Sequence, residues 1–96
     1  MIEIKDRFRI SEAILFWNLR NPNKKKKAID LGRLIWNGSR QSIANSIYLL
    51  MDGRTKAIRL CTMKTICDYL EVDANFICGQ PSKYDDEFKQ LKNGQD

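Results

Sequence analysis

Between Ser39 and Lys56 the chain reads SRQSIANSIYLLMDGRTK, and its amides and hydroxyls fall at helical spacing. Ile43, Ile47 and Leu50 recur at the interval that builds one side of a helix, and Gln41, Asn45, Tyr48 and Asp52 then stand opposite. A side-chain amide holds a donor beside an acceptor, so such a face is suited to recognition through paired hydrogen bonds. A second group of residues is cationic. Lys24, Lys25, Lys26 and Lys27 precede this segment, and Arg54, Lys56 and Arg59 follow it.

Bond-breaking chemistry finds little support. The 96 residues contain no histidine, which removes the commonest general base, and no serine–base or paired-carboxylate arrangement stands out. Cys61, Cys67 and Cys78 are odd in number, include no C-x-x-C pair and lack a histidine to complete a zinc site. They are expected to be reduced core residues. The expectation is a protein that is not an enzyme and needs no metal or cofactor.

Charge is divided along the chain. Residues 1–59 hold 13 Lys/Arg against five Asp/Glu, whereas residues 60–96 hold four against seven. The first part is therefore suited to a polyanion, nucleic acid before an anionic membrane surface. No apolar run approaches the roughly 18 residues needed to cross a bilayer, and no signal-peptide pattern opens the chain. A cytoplasmic protein of one domain is expected, with a 43% hydrophobic fraction sufficient for a modest core.

The elements that must position these side chains read as short helices. MIEIKDRFRI alternates Ile2, Ile4, Phe8 and Ile10 with charges and suits an extended arm or short strand over 1–10. Ser11 can cap a first helix carrying Ala13, Ile14 and Trp17 on one face and Leu15, Phe16 and Leu19 over much of the rest. NPN at 21–23 is a turn, and Asn23 can cap a second helix from about Lys24 to Trp36, with Ala28, Leu31, Ile35 and Trp36 inward and Gly32 permitting close helix contact. Four lysines would then sit at the positive end of their own helix, where a docked phosphate would offset the penalty. A solvated charge run is the alternative.

Asn37-Gly38 ends that helix and Ser39 can cap the third. RTKAIR reads as a polar loop. A fourth helix starts at Cys61 or Thr62 and ends at Leu70, with Met63, Ile66, Cys67 and Leu70 as its inner stripe. Asp73 caps a short fifth helix holding Phe76 and Ile77, stopped by Gly79, so that a core of 11–79 precedes a tail over 80–96. In that tail Tyr84, Phe88 and Leu91 form one side of a short amphipathic helix that folds back on the core, pairs with a second subunit or frays. The fold class expected is all-α, a compact bundle of about five short helices containing a helix-turn-helix, with the arm in front and the amphipathic helix behind.

Over about thirty residues, from Ile47 to Ile77, the order of these features resembles the lambda-repressor-like helix-turn-helix family, the Cro and XRE-type DNA-binding domains. The residues that carry the resemblance are Asp52-Gly53-Arg54-Thr55-Lys56, then Leu60, Met63, Ile66, Cys67, Leu70 and Val72, then Asp73 to Ile77. Two departures stand out. About one extra helical turn separates the Gly38-Ser39 turn from Gly53, so the buried aliphatic matches Ile43 from one side and Ile47 from the other. The family's small alanine on helix two is replaced by Arg33 or Asn37, depending on that choice.

The resemblance implies double-stranded DNA as partner, with the third helix in the major groove. Arg40, Gln41, Ser42, Asn45, Ser46 and Tyr48 would then be its base-reading candidates, Gln41 and Asn45 suited to adenine and Arg40 to guanine or phosphate. Lys24 to Lys27, Arg54, Lys56 and Arg59 would clamp the phosphates. The function implied is a small repressor of phage or mobile-element type, acting as a homodimer through the first helix, the arm, the tail or Leu49. The competing reading is a protein-interaction module of the same fold, antitoxin-like or a phage accessory protein. RNA binding fits less well, since Tyr48 is the single aromatic on the reading face, and the lysines oppose no apolar stripe that would suit a membrane surface.

Overall fold

The apolar stripes close around one core, and the computed structural model, which describes residues 1–94, is a compact all-α bundle with one small sheet. The helices are α1 (Ile10–Arg20), α2 (Ala28–Ile35), α3 (Arg40–Met51), α4 (Leu60–Leu70), α5 (Ala74–Cys78) and α6 (Asp85–Asn93). The sheet joins β1 (Ile2–Glu3) to β2 (Ala57–Ile58). Positions 95 and 96 of the expected tail lie outside the described residues. Among the described residues no helix is long and apolar enough to cross a membrane.

The core gathers one stripe from each element. Phe8 of the arm, Ile10, Ala13 and Phe16 of α1, Leu31 of α2 and Leu50 of α3 are fully buried, as are Ile66 and Leu70 of α4 and Ile77 of α5. Around Phe16 the rings of Phe76 and Phe88 stand 5.6 and 5.3 Å away, and Tyr84 meets the same ring edge-on at 6.0 Å. Tilted and edge-on aromatic pairs add to the area they bury. The amphipathic tail therefore folds back on its own chain through α6, with its aromatic side turned inward.

Caps fall where short polar residues precede apolar stripes. Ser39 Oγ accepts the Ser42 amide at 3.1 Å and starts α3, and Asp73 Oδ1 accepts the Phe76 amide at 2.8 Å and starts α5. Other starts differ from the sequence reading. α1 begins two residues earlier, leaving Ser11 inside its first turn and Arg9 at the cap position without a side-chain cap. α4 begins at Leu60. Cys61 is exposed, while Cys67 and Cys78 are half-buried, so one expected core cysteine lies on the surface.

The RTKAIR segment is not wholly a loop. Its Ala57 and Ile58 pair antiparallel with Glu3 and Ile2, and the Ile4 amide adds a bond to the Lys56 carbonyl at 2.9 Å. Ile58 is buried, which gives the strand an inward anchor. Further along, the arm is held by a fork in which both Arg7 amino nitrogens donate to Glu12, at 2.8 and 2.7 Å. Burial pushes the Glu12 carboxyl upward, but the Arg7 hydrogen bonds, backbone donation and the nearby Arg9 outweigh it and hold the group below its ordinary value.

Helix α2 crosses α3 at Gly32. A β-carbon built on Gly32 would lie 2.7 Å from Ile43 Cγ2, inside van der Waals contact, so the absence of a side chain permits this crossing. The small residue at the helix contact is thus Gly32.

Two outcomes follow from this packing. Gly32→Ala should destabilise by about 1–3 kcal/mol in denaturant unfolding despite the better helix propensity of alanine, because the overlap meets a core side chain; a rise in midpoint would mean the helices do not cross tightly. The depressed Glu12 pKa contributes stability that is complete above the carboxylate range and is lost as pH falls through it. Glu12→Gln should therefore lose less stability than wild type between about pH 5 and pH 3.

Candidate nucleic-acid interface

α2, the four residues Trp36 to Ser39 and α3 form a helix-turn-helix, its turn made possible by Gly38 at φ 136°. α3, a helix of 12 residues, buries Ile43, Ile47 and Leu50, so Ile43 and Ile47 both face the core. At 1.5 Å per residue it is about 18 Å long.

The opposite side stays uncovered. Arg40, Gln41, Ser42, Asn45 and Tyr48 are exposed, Tyr48 at 69%, while Ser46 is half-buried at the flank. Gln41 Nε2 donates to Asn45 Oδ1 at 3.1 Å, one turn along the same face. Leu49 is 40% exposed beside them, and Leu34 on α2 is 56% exposed. No acidic residue occupies the first turn of α3, so its positive end carries no internal counter-charge.

The cations are placed less uniformly than expected. Lys24, Lys25 and Lys27 are exposed, but they lie on the connection before α2 and not in its first turn. The physical reason is Asn18. Its Oδ1 accepts the Lys26 amide at 2.7 Å and its Nδ2 donates to the Lys26 carbonyl at 3.2 Å, while Trp17 Nε1 donates to the Lys24 carbonyl at 2.9 Å. These bonds replace the helical ones and postpone α2 to Ala28, where Asp30 suits the helix dipole.

Lys26 itself turns inward. Its ammonium lies 3.4 Å from the Trp17 ring centroid and 3.9 Å from that of Tyr69, and it donates to the Tyr69 carbonyl. Burial draws its pKa downward, Glu71 opposing the shift and Arg20 adding to it. Lys26 is accordingly a structural cation and drops out of the set expected to meet phosphates. Asn18 is the signal that sequence reasoning missed, a polar side chain in the last turn of α1, beside the NPN turn.

After α3, Gly53 turns the chain at φ 84°, and the amides of Arg54 and Thr55 both donate to the Leu49 carbonyl, at 3.0 and 3.2 Å. Arg54 and Arg59 are exposed, but Arg54 pairs with Asp52 at 3.2 Å, and Lys56 Nζ donates to the Lys5 carbonyl at 3.1 Å. The six reading candidates therefore share one helix. The cations lie in two separate segments, before α2 and after α3, with Arg54 and Lys56 already engaged.

A groove of about 910 Å³ runs between the arm and α5 and is lined by Lys5, Arg9, Asn75, Cys78 and Gly79 among others. It does not involve α3. Among the described residues no three Cys, Asp or Glu side chains cluster to hold a metal ion. Burial pushes the Cys67 thiol up to about 11, with Asp73, Asp68 and Cys78 adding to the shift, which leaves it protonated and a poor nucleophile at neutral pH.

Comparison with protein-family models, curated proteins and solved structures finds no match for the chain.

Lys26→Ala should lower stability by about 1–2 kcal/mol in thermal or denaturant unfolding, the size of desolvated cation–π contacts, whereas Lys25→Ala should change it by less than about 0.5 kcal/mol. Equal effects would contradict the inward placement of Lys26.

Proposed function

We propose that the protein binds double-stranded DNA sequence-specifically through α3, as a small transcriptional repressor of phage or mobile-element type resembling the Cro and XRE class. The observation that carries this reading is the uncovered polar face of α3, held outward by the burial of Ile43, Ile47 and Leu50. The major groove is about 12 Å wide and admits one helix, whose amides and guanidinium groups can pair with base edges. Arg40 at the start of α3, the exposed lysines before α2 and Arg59 beyond α3 supply positive charge on either side in chain order. A cytoplasmic location goes with that role.

One helix supplies few base contacts, so a homodimer on paired half-sites belongs to the proposal. The aromatic side of α6 is spent on Phe16 within the chain, which directs attention to Leu49 and Leu34 for a symmetric contact. The same exposed apolar residues, with Tyr48, favour the second reading, a module that docks on another protein.

Fluorescence anisotropy with duplex DNA at several salt concentrations separates the two. If Lys24, Lys25, Lys27, Arg40 and Arg59 each neutralise one phosphate, log affinity should fall against log salt with a slope of about −4.5. Lys25→Ala should reduce that slope by about 1 on all sequences alike. No binding at micromolar protein in low salt would favour the protein-docking module.

A further inference from the structure

Among the described residues β1 has a partner strand on one side only, since β1 and β2 make up the whole sheet. Ile2 faces Ile58, Glu3 faces Ala57, and the Ile4 amide donates to the Lys56 carbonyl. In an antiparallel pair, residues that exchange backbone bonds alternate with residues that do not. Ile2 and Ile4 therefore spend their backbone groups on β2, and Glu3 and Lys5 turn theirs the other way. Among the described residues nothing accepts from the Glu3 or Lys5 amide.

This free edge opens into the groove between the arm and α5, which is lined by every residue from 2 to 5 in succession. A cleft over one face of a strand would meet alternate residues, because side chains point to opposite faces in turn. Consecutive residues place the groove along the edge itself. Its far wall carries Ala74 and Cys78, together with the exposed Asn75 and Gln80, whose side-chain amides have no partner among the described residues. A strand laid in the groove would meet unpaired backbone groups of β1 on one side, free side-chain amides on the other, and apolar contacts from Ile2, Ile4, Ala74 and Cys78.

Charge specifies what such a strand carries. Glu3 and Lys5 are exposed, stand on one side of β1 and form no ion pair among the described residues. Directly opposed residues of an antiparallel pair interact, opposite charges favourably. A strand running against β1 is therefore matched when an acid faces Lys5 and a base, two residues on, faces Glu3, with apolar residues facing Ile4 and Ile2. We propose that the groove takes up an extended segment of another protein, in the order acid, apolar, base, apolar, as a third strand on β1. A second copy offers Glu3-Ile4-Lys5, the same order, but would bring its own β2 about 4.8 Å further out, where α5 closes the groove. A lone strand has no such companion. The site is separate from α3 and does not depend on duplex binding.

Fluorescence anisotropy of a labelled peptide containing Glu-Val-Lys-Val, titrated with the full chain, tests this. Binding should saturate. N-methylation of the peptide's lysine amide removes the donor to the Glu3 carbonyl and should weaken binding by about tenfold, the size of one lost backbone bond; the same change at the first valine, whose amide faces α5, should weaken it less. The charge exchange Glu3→Lys with Lys5→Glu should reverse the preference between Glu-Val-Lys-Val and Lys-Val-Glu-Val, by about threefold or more in each direction. Both side chains are exposed, so the melting curve of that variant should coincide with that of the wild type. Bound peptide should slow alkylation of Cys78 on the groove wall and leave that of the exposed Cys61 unchanged.

Absence of binding at millimolar peptide overturns the proposal. Equal binding of the peptide methylated at lysine does so too, because it removes strand addition, and so does binding that leaves Cys78 alkylation unchanged, because it moves the peptide elsewhere. Sedimentation of the wild type as a dimer that Lys5→Glu dissociates would assign the edge to a second copy and overturn it likewise.

Discussion

Where α2 crosses α3, Gly32 leaves room for the Ile43 side chain to lie close against it, and the 2.7 Å that would separate a β-carbon from Ile43 Cγ2 measures how close the approach is. That approach draws Ile43 and Ile47 under α2, and the helical period then decides the rest. With Ile43, Ile47 and Leu50 facing in, the amides of Gln41 and Asn45 have no direction left but outward. The polar face of α3 is therefore a consequence of core packing. It needs no separate interaction to hold it exposed.

Much of this was legible in the residues themselves. The 3.6-residue stripes located all the helices, and Ser39, Asp73 and Gly79 marked their ends because capping is local chemistry that neighbouring residues reveal. The β1–β2 pair was half visible. The alternation of Ile2, Ile4 and Phe8 suggested a strand, but its partner, Ala57-Ile58, has only two residues among cations and shows no period of its own. The start of α2 was misplaced for a similar reason. A bond network from Asn18, eight residues upstream, overrides the tendency of Lys24 to Lys27 to read as the first turn of the next helix. Gly32 was recognised as a close-contact residue, but its partner was not, since the choice between Ile43 and Ile47 depends on helix crossing and not on spacing.

The carboxyl end of α4 shows how two cations can be absorbed by structure. Lys26 donates to the Tyr69 carbonyl, and Arg20 Nη2 donates to the carbonyls of Leu70 and Glu71 at 3.0 and 3.3 Å while its guanidinium lies 3.9 Å from the Phe16 centroid. Both charges meet the negative end of the helix dipole, and both pack on aromatic faces. A count of positive residues in the first part of the chain therefore overstates the charge available to a partner. The two cations tie α1 and the lysine-bearing connection to α4, and so set where Lys24, Lys25 and Lys27 emerge.

The pairing of Ile2 with Ile58 spans more than half of the chain. β1 must wait for β2 before it acquires a fixed place, whereas α2, the Gly38 turn and α3 make their contacts over short separations. The helix-turn-helix can therefore assemble while β1 is still unpaired. The segment carrying Lys56 and Arg59, by contrast, is held by a partner strand more than fifty residues away in the chain.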